Sequence, residues 1–205
     1  MNILEAYIKK YGQIIIVILG LPCTNKSEIA KELEFDLNLP IINSNDYLIP
    51  NKYIETEHDG TKFKIYESSE NYDWEKLNKD VNELKTKGVI LYGNYIDNNK
   101  VDFEIDYCFF YSMNTTLCKK KILDKKILDF DNSEEKVNTY FEKIFNPFYE
   151  NLKNDMKINK FYNIKEDTAF DLIYDETFDN LMSMIQKKLT KPNNEMSRNR
   201  SKRKK

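Results

Sequence analysis

The chain reads as an α/β protein: a three-layer fold with a central parallel sheet of about five strands covered by helices. Three observations predict this. Short apolar runs alternate with stretches of helical period along most of the sequence, the pattern of a sheet whose strands are joined by crossover helices. A length of 205 residues suits one domain with a proper core. The first apolar run, Ile14 to Leu19, passes directly into a turn and then a helical pattern, a strand–turn–helix unit.

The elements follow in order. A first strand over about 14–19 carries six apolar residues, too few for a membrane span and suited to a buried central strand. A helix over about 26–38 shows the stripe Ile29, Ala30, Leu33 and Leu37. Pro40 to Asn43 is a short apolar second strand. Residues 50–70 show no clear period and read as a long polar and aromatic loop with Gly60 at a turn. Trp74, Leu77, Val81 and Leu84 stand at helical spacing, Asp73 caps that helix, and Gly88 ends it. Val89–Tyr92 and Asp106–Tyr111 are the third and fourth strands. Thr115 to about Lys126 is a basic helix, and 134–156 hold another, interrupted near Pro147. Phe170–Tyr174 is the expected fifth strand, and Phe178, Leu181, Met182, Ile185 and Leu189 stripe a last helix. One domain over 1–190 is expected, with a basic, disordered tail over 191–205.

The turn after the first strand carries the chemistry. Gly20-Leu21-Pro22-Cys23-Thr24-Asn25-Lys26-Ser27 matches G-x-x-x-x-G-K-[ST] at every position except Asn25. In such a P-loop the backbone N–H groups face a polyphosphate, and the following helix adds its positive end. Gly20, Cys23, Thr24 and Asn25 would form the cradle for ATP phosphates, Lys26 would neutralise the β- and γ-phosphates, and the Ser27 hydroxyl would ligate Mg²⁺. Asn25 is a mild departure, because Asn enters the left-handed region more readily than most residues. These features predict a P-loop NTPase fold.

Composition excludes several other chemistries. Arg198, Arg200, Lys202, Arg203, Lys204 and Lys205 crowd the end; removing those six charges from a net charge of −2 leaves the rest at −8. An acidic body is not a nucleic-acid-binding surface, so any nucleic-acid contact or nuclear targeting would run through the tail. Cys23, Cys108 and Cys118 have no disulfide or metal-ligand spacing. The single histidine, His58, in a polar segment, argues against a zinc site or a histidine triad and reads as solvated. The N-terminal apolar run ends in a phosphate loop, not a cleavage site, which predicts an intracellular, cytoplasmic protein with no membrane partner.

Over roughly residues 14–189 the chain resembles the uridine kinase family of P-loop nucleoside kinases, which includes the nicotinamide riboside kinases. Besides the P-loop, Tyr72-Asp73-Trp74-Glu75-Lys76-Leu77 with Leu84-Lys85 and Gly88 looks like the family's F-D-W-x-x-L…L-x-x-G stretch. Val89-Ile90-Leu91-Tyr92-Gly93 is similar to its V-V-x-E-G strand. Tyr140-Phe141 followed by Asn146-Pro147-Phe148-Tyr149-Glu150 resembles its Y-x₅-P-x-x-E helix, and Phe170-Asp171-Leu172-Ile173 its A-D-x-I-I. The resemblance implies transfer of a phosphoryl group from ATP, with Mg²⁺, to the 5′-hydroxyl of a nucleoside such as uridine or cytidine.

It also implies roles. The family's base is an Asp in D-[SD]-[FY]-[FY]; here the stretch is Asn45-Asp46-Tyr47-Leu48, with Asn45 in the Asp position and Asp46 beside it as the candidate base or orienter. The acidic residue that supports Mg²⁺ falls on Tyr92, with Asp97 just beyond. Glu67 stands where the family has the Asp that accepts hydrogen bonds from ribose hydroxyls, and Tyr47 and Tyr66 are candidate neighbours of base or sugar. The arginine-rich lid becomes Lys119 to Lys126, with Lys120, Lys121 and Lys125 as candidate phosphate contacts; lysine is a point charge and lacks the bidentate fork of arginine. Family members are often oligomers, so a homo-oligomer is admitted. Two classes of function stay open: a nucleoside kinase, or one for another ribosyl acceptor such as nicotinamide riboside, and a nucleotide-binding pseudokinase, which Asn25, Asn45, Tyr92 and the lysine lid favour.

Overall fold

The computed structural model describes residues 2–58, 60–65, 68–125 and 133–191. In chain order the elements are α1 (Ile3–Tyr11), β1 (Ile15–Gly20), α2 (Lys26–Leu37), β2 (Ile41–Asn43), β3 (Ile54–His58), β4 (Thr61–Ile65), α3 (Trp74–Leu84), β5 (Val89–Gly93), β6 (Tyr107–Met113), α4 (Thr115–Asp124), α5 (Glu134–Tyr140), α6 (Asn146–Asp155), β7 (Lys160–Ile164) and α7 (Phe170–Thr190).

Five strands form one parallel sheet in the order β2-β5-β1-β6-β7. Every residue of β1 is buried, as a strand with neighbours on both edges and helices on both faces must be. The chain moves from β1 to one edge of the sheet, returns through β5, and crosses to β6 on the other side. The order therefore reverses at β1, and open α/β sheets bind their ligands outside the carboxyl end of the strands at such a point. The segment leaving β1 there is the Gly20–Ser27 loop.

Four expectations are corrected. The first is α1, which the sequence reading missed. Asn2 and Glu5 form a reciprocal capping box, and Gly12 closes the helix at φ +89. The helix is held at the far end of the sheet: Tyr11 Oη donates to the Lys188 carbonyl (2.7 Å), and Tyr7 Oη to Asp106 Oδ1 (2.9 Å).

The second is the segment read as a loop, which contains the hairpin β3–β4, in register from Ile54↔Ile65 to His58↔Thr61. Glu55, Glu57, Lys62 and Lys64 alternate with residues of the other face, where Phe63 is buried against Tyr140. His58 is accordingly half-buried on a strand beside Phe63, not solvated in a loop.

The third is the fifth strand, which is β7, not 170–174. Residues 170–174 begin α7, because Ile173, Thr177, Leu181 and Ile185 recur every four residues on its buried face. In β7, Tyr162 and Ile164 are buried while Phe161 is 52% exposed, the alternation of an edge strand. The stretch matched to A-D-x-I-I thus lies on a helix.

The fourth is the interruption near Pro147. It is a π-helical turn over Phe141–Phe145, and the proline sits in the first turn of α6. Pro147 has no N–H for the carbonyl four residues back, and the widened turn just ahead of it accommodates that gap.

Candidate functional site

The loop from Gly20 to Ser27 is built by three backbone constraints. Gly20 has φ +144, and a Cβ there would lie 1.9 Å from the Tyr111 carbonyl oxygen of β6, so only glycine fits. That carbonyl instead accepts the Leu21 N–H at 2.9 Å, fixing where the chain leaves the sheet. Cys23 and Asn25 then adopt left-handed conformations, at φ +62 and +59. Asn25 does what the motif's second glycine would do, as its tolerance of positive φ predicts. It precedes α2 without a side-chain hydrogen bond to the helix, so no side chain caps that positive end.

Lys26 curls back over the loop. Its Nζ donates to the Leu21 carbonyl at 2.7 Å, and the same oxygen accepts Thr24 Oγ1 at 2.7 Å. The residue is only 7% exposed. Burial pushes the ammonium from 10.5 to about 8, with Cys23, Cys118 and Glu28 acting in the opposite direction. The loop therefore holds a largely desolvated cation, well suited to an incoming anion. Ser27 Oγ donates to Glu28 Oε2 at 2.9 Å.

Across the sheet, β2 ends at Asn43, in register with Tyr92 of β5. Asn43 organises the turn over Ser44–Tyr47: its Oδ1 accepts the Asn45 N–H (3.1 Å) and its Nδ2 donates to Asp46 Oδ1 (3.1 Å). The Asp46 carboxylate is exposed and held from one side. Burial raises the Tyr92 phenol above its ordinary range, and Asp46 and Glu28 add to this. Tyr92 therefore stands at the carboxyl edge of the sheet within electrostatic reach of both Asp46 and Glu28. Ser44 Oγ and Asn45 Oδ1 are buried there without a hydrogen-bond partner, the kind of unmet capacity that a ligand satisfies. The roles of Asn43 and Glu28 escaped the sequence reading; the only signal was a dense Asn-Ser-Asn-Asp run after an apolar strand.

The other candidates are dispersed. Tyr47 is buried, with Oη committed to Asp80 Oδ2 of α3 at 2.7 Å and Lys76 Nζ 5.5 Å from its ring centroid. Asp97 caps a turn, its Oδ1 accepting the Asn99 N–H at 2.9 Å. Lys121 is half-buried beside Cys118, which it influences together with Lys26. Lys120 pairs with Glu166 at 3.3 Å on the surface, and Lys125 is exposed at the end of α4. Tyr66, Glu67 and the tail beyond 191 lie outside the described residues.

A pocket of about 380 Å³ opens at the carboxyl ends of β6 and β7, lined among others by Asn114, Leu117, Lys120, Ile164 and Glu166. Its wall is α4, and Cys118 of that helix lies 3.9 Å from the Pro22 carbonyl, so the pocket and the Gly20–Ser27 loop share one support. Among the described residues no three His, Cys, Asp or Glu side chains gather to hold a metal. The donor set still fits Mg²⁺, which keeps most of its waters and is held by one or two protein oxygens together with substrate phosphates. Ser27 Oγ, which donates to the neighbouring Glu28, would be such an oxygen.

No family model and no curated protein matches the sequence. Solved structures do resemble the fold. A putative fructose transport system kinase from Silicibacter sp. TM1040 superposes with a TM-score of 0.53 at 10% identity, covering 79% of this chain and 99% of the other. A gluconokinase from Sinorhizobium meliloti 1021 gives 0.52 at 9% identity over 85% and 95%. Shikimate kinase from Acinetobacter baumannii, in complex with shikimate, gives 0.52 at 15% identity over 86% and 97%. The chain has the fold of the P-loop kinases. These neighbours carry the names of kinases with different acceptors, so the shared fold does not choose among acceptors. None of the helices among the described residues is long and apolar enough to cross a membrane.

Proposed function

We propose that this protein is an ATP-dependent small-molecule kinase that phosphorylates the 5′-hydroxyl of a nucleoside such as uridine or cytidine. One observation carries the reading: a desolvated Lys26 inside a loop with two left-handed residues at the switch point of the sheet, on the same carboxyl edge as the turn after β2 that presents an exposed Asp46. Phosphoryl transfer asks the protein for position and charge more than for covalent chemistry, and this constellation supplies both.

In this reading Lys26 releases Leu21 and turns to the β- and γ-phosphates of ATP, leaving Thr24 on that carbonyl. Backbone N–H groups from Cys23 to Ser27 and the uncapped end of α2 hold the phosphate oxygens. Mg²⁺ on Ser27 would supply neutralising charge for the transferred group. The pocket along α4 is the right place for the adenine ring, with Lys120, Lys121 and Lys125 on the approach to the phosphates. Asp46, steadied by Asn43, accepts the acceptor's hydroxyl proton or orients that hydroxyl.

An aromatic acceptor is favoured by the rings beside this turn. Tyr72 pairs with Leu48 in an isolated bridge and stacks on Trp74 at 5.1 Å; Tyr95, two residues past β5, packs on both and on Phe148. A polar sugar acid gains little from such a wall, whereas a nucleobase stacks on it. Tyr47, Tyr66 and Glu67 remain part of the proposal as base or ribose neighbours, as does nicotinamide riboside as the acceptor. A cytoplasmic setting belongs to the same reading, as does the assignment of nuclear entry or nucleic-acid contact to the tail.

The second reading, a nucleotide-binding pseudokinase, is favoured by Asn45 in the base position and by the phenol of Tyr92 where an acid is expected. ADP release from Mg-ATP across a panel of nucleosides separates the two. Turnover with one acceptor, lost in Lys26→Ala and Asp46→Asn, is the expected result. ATP binding without acceptor-dependent turnover would overturn the kinase reading.

A further inference from the structure

We propose that Cys23 and Cys118 are a reversible redox pair: peroxide joins them in a disulfide that pins the phosphate loop to α4. Cys118 is fully buried beneath the loop, with its Sγ 3.9 Å from the carbonyl oxygen of Pro22, the residue immediately before Cys23. Cys23 is half-exposed on the loop and sits at φ +62, a conformation that a residue with a Cβ rarely adopts. Burial pushes the Cys118 thiol up to about 12, with a smaller contribution in the same direction from Cys23 and an opposing one from Lys26. The third cysteine, Cys108, is buried within β6 in the middle of the sheet and has no such partner in sequence or register.

The division of labour follows from access. Cys23 meets solvent and is the sulfur that peroxide oxidises; Cys118 is shielded and can only resolve what forms on Cys23. In the first step the Cys23 sulfur attacks one peroxide oxygen, the O–O bond breaks, and Cys23 becomes a sulfenic acid with release of water. In the second, the Cys118 sulfur attacks Cys23, the S–O bond breaks, and a second water leaves. Two thiols are oxidised and one peroxide is reduced to two waters. A dithiol reductant reverses the change.

The disulfide itself rests on the approach of Cys118 Sγ to the backbone of Pro22, next to Cys23; its consequence rests on the phosphate-loop reading above. A loop tied at its middle to α4 cannot open around a triphosphate, so oxidation switches nucleotide binding off.

The test uses the full chain. Reduced and peroxide-treated samples are alkylated and digested without reductant, and the peptides are mapped by mass; Mg-ATP binding is followed by calorimetry on the same samples. The expected result is a Cys23–Cys118 peptide lighter by two hydrogens than its separate halves, loss of ATP binding, and recovery of binding with dithiothreitol. Cys118→Ser keeps a hydroxyl for the Pro22 carbonyl, and Cys118→Ala tests the same point with an apolar residue. Both should form no linked peptide and keep ATP binding after mild oxidation. Over-oxidised Cys23 without a link, a link through Cys108 or between chains, or a Cys23–Cys118 link with unchanged ATP binding would each overturn the proposal. If the reduced protein binds no ATP, the kinase reading fails, and the peptide map still decides whether the pair forms.

Discussion

Replacing Lys26 with methionine should make the protein more stable while abolishing ATP binding. Burial moves the Lys26 ammonium from 10.5 to about 8. At about 1.4 kcal/mol per pH unit, holding the charge at pH 7 costs roughly 3 kcal/mol relative to the neutral form. Lys26→Met removes that cost and keeps most of the side chain's volume. It also removes a donor to the Leu21 carbonyl, but Thr24 Oγ1 still donates there at 2.7 Å. The loss is then at the low end of about 1–3 kcal/mol, and the variant should gain roughly 1–2 kcal/mol. The sign with pH follows from linkage. Below about pH 8 the folded and unfolded chains both carry the proton, and the cost is fully present. Between about 8 and 10.5 the unfolded chain binds more protons than the folded one, so wild-type stability rises with pH. The variant lacks this rise, and its advantage should vanish by about pH 9. Urea unfolding at neutral and alkaline pH, with and without Mg-ATP, measures all of this. A variant less stable than wild type at pH 7, or a difference that does not change with pH, would refute the claim that the loop stores a desolvated charge.

Other predictions address single contacts. Gly20→Ala forces a Cβ to within 1.9 Å of the Tyr111 carbonyl; it should cost roughly 2–4 kcal/mol in urea unfolding and eliminate ATP binding. Asn43→Ala leaves Asp46 without its side-chain donor and should lower kcat several-fold with little change in ATP affinity, readable in steady-state kinetics. Asp106→Ala removes the acceptor shared by Tyr7 Oη, the Ile15 N–H and Lys188. It should cost about 2–4 kcal/mol of stability yet leave ATP binding intact, because Asp106 sits at the opposite end of the sheet from the loop.

The parts of the fold legible in the sequence are those with strong local signals. β1, α2 and α3 each carry a continuous apolar run or a full stripe, and the structure reproduces them within a residue or two. The fifth strand was misplaced because Phe170-Asp171-Leu172-Ile173-Tyr174 is apolar enough for either state, and only the continuing four-residue rhythm to Ile185 marks a helix. The hairpin was hidden by its charge: Glu55, Glu57, Lys62 and Lys64 share one face that reads as loop until paired. The backbone of the Gly20–Ser27 loop was legible because its geometry is set by adjacent residues. The rest of the site is assembled by packing. Asn43 reaches Asp46 because a short turn folds back, Tyr47 is drawn to Asp80 thirty-three residues away, and the pocket joins the start of α4 to the end of β7. No spacing in the sequence announces these meetings.

The most direct test of the account is to follow the γ-phosphate itself. With ATP labelled at that position, Mg²⁺ and a nucleoside, the label should appear in the nucleoside 5′-monophosphate, in proportion to ADP formed, and not at all with Lys26→Met. Label that stays in ATP, or appears only as inorganic phosphate whatever nucleoside is present, would contradict it.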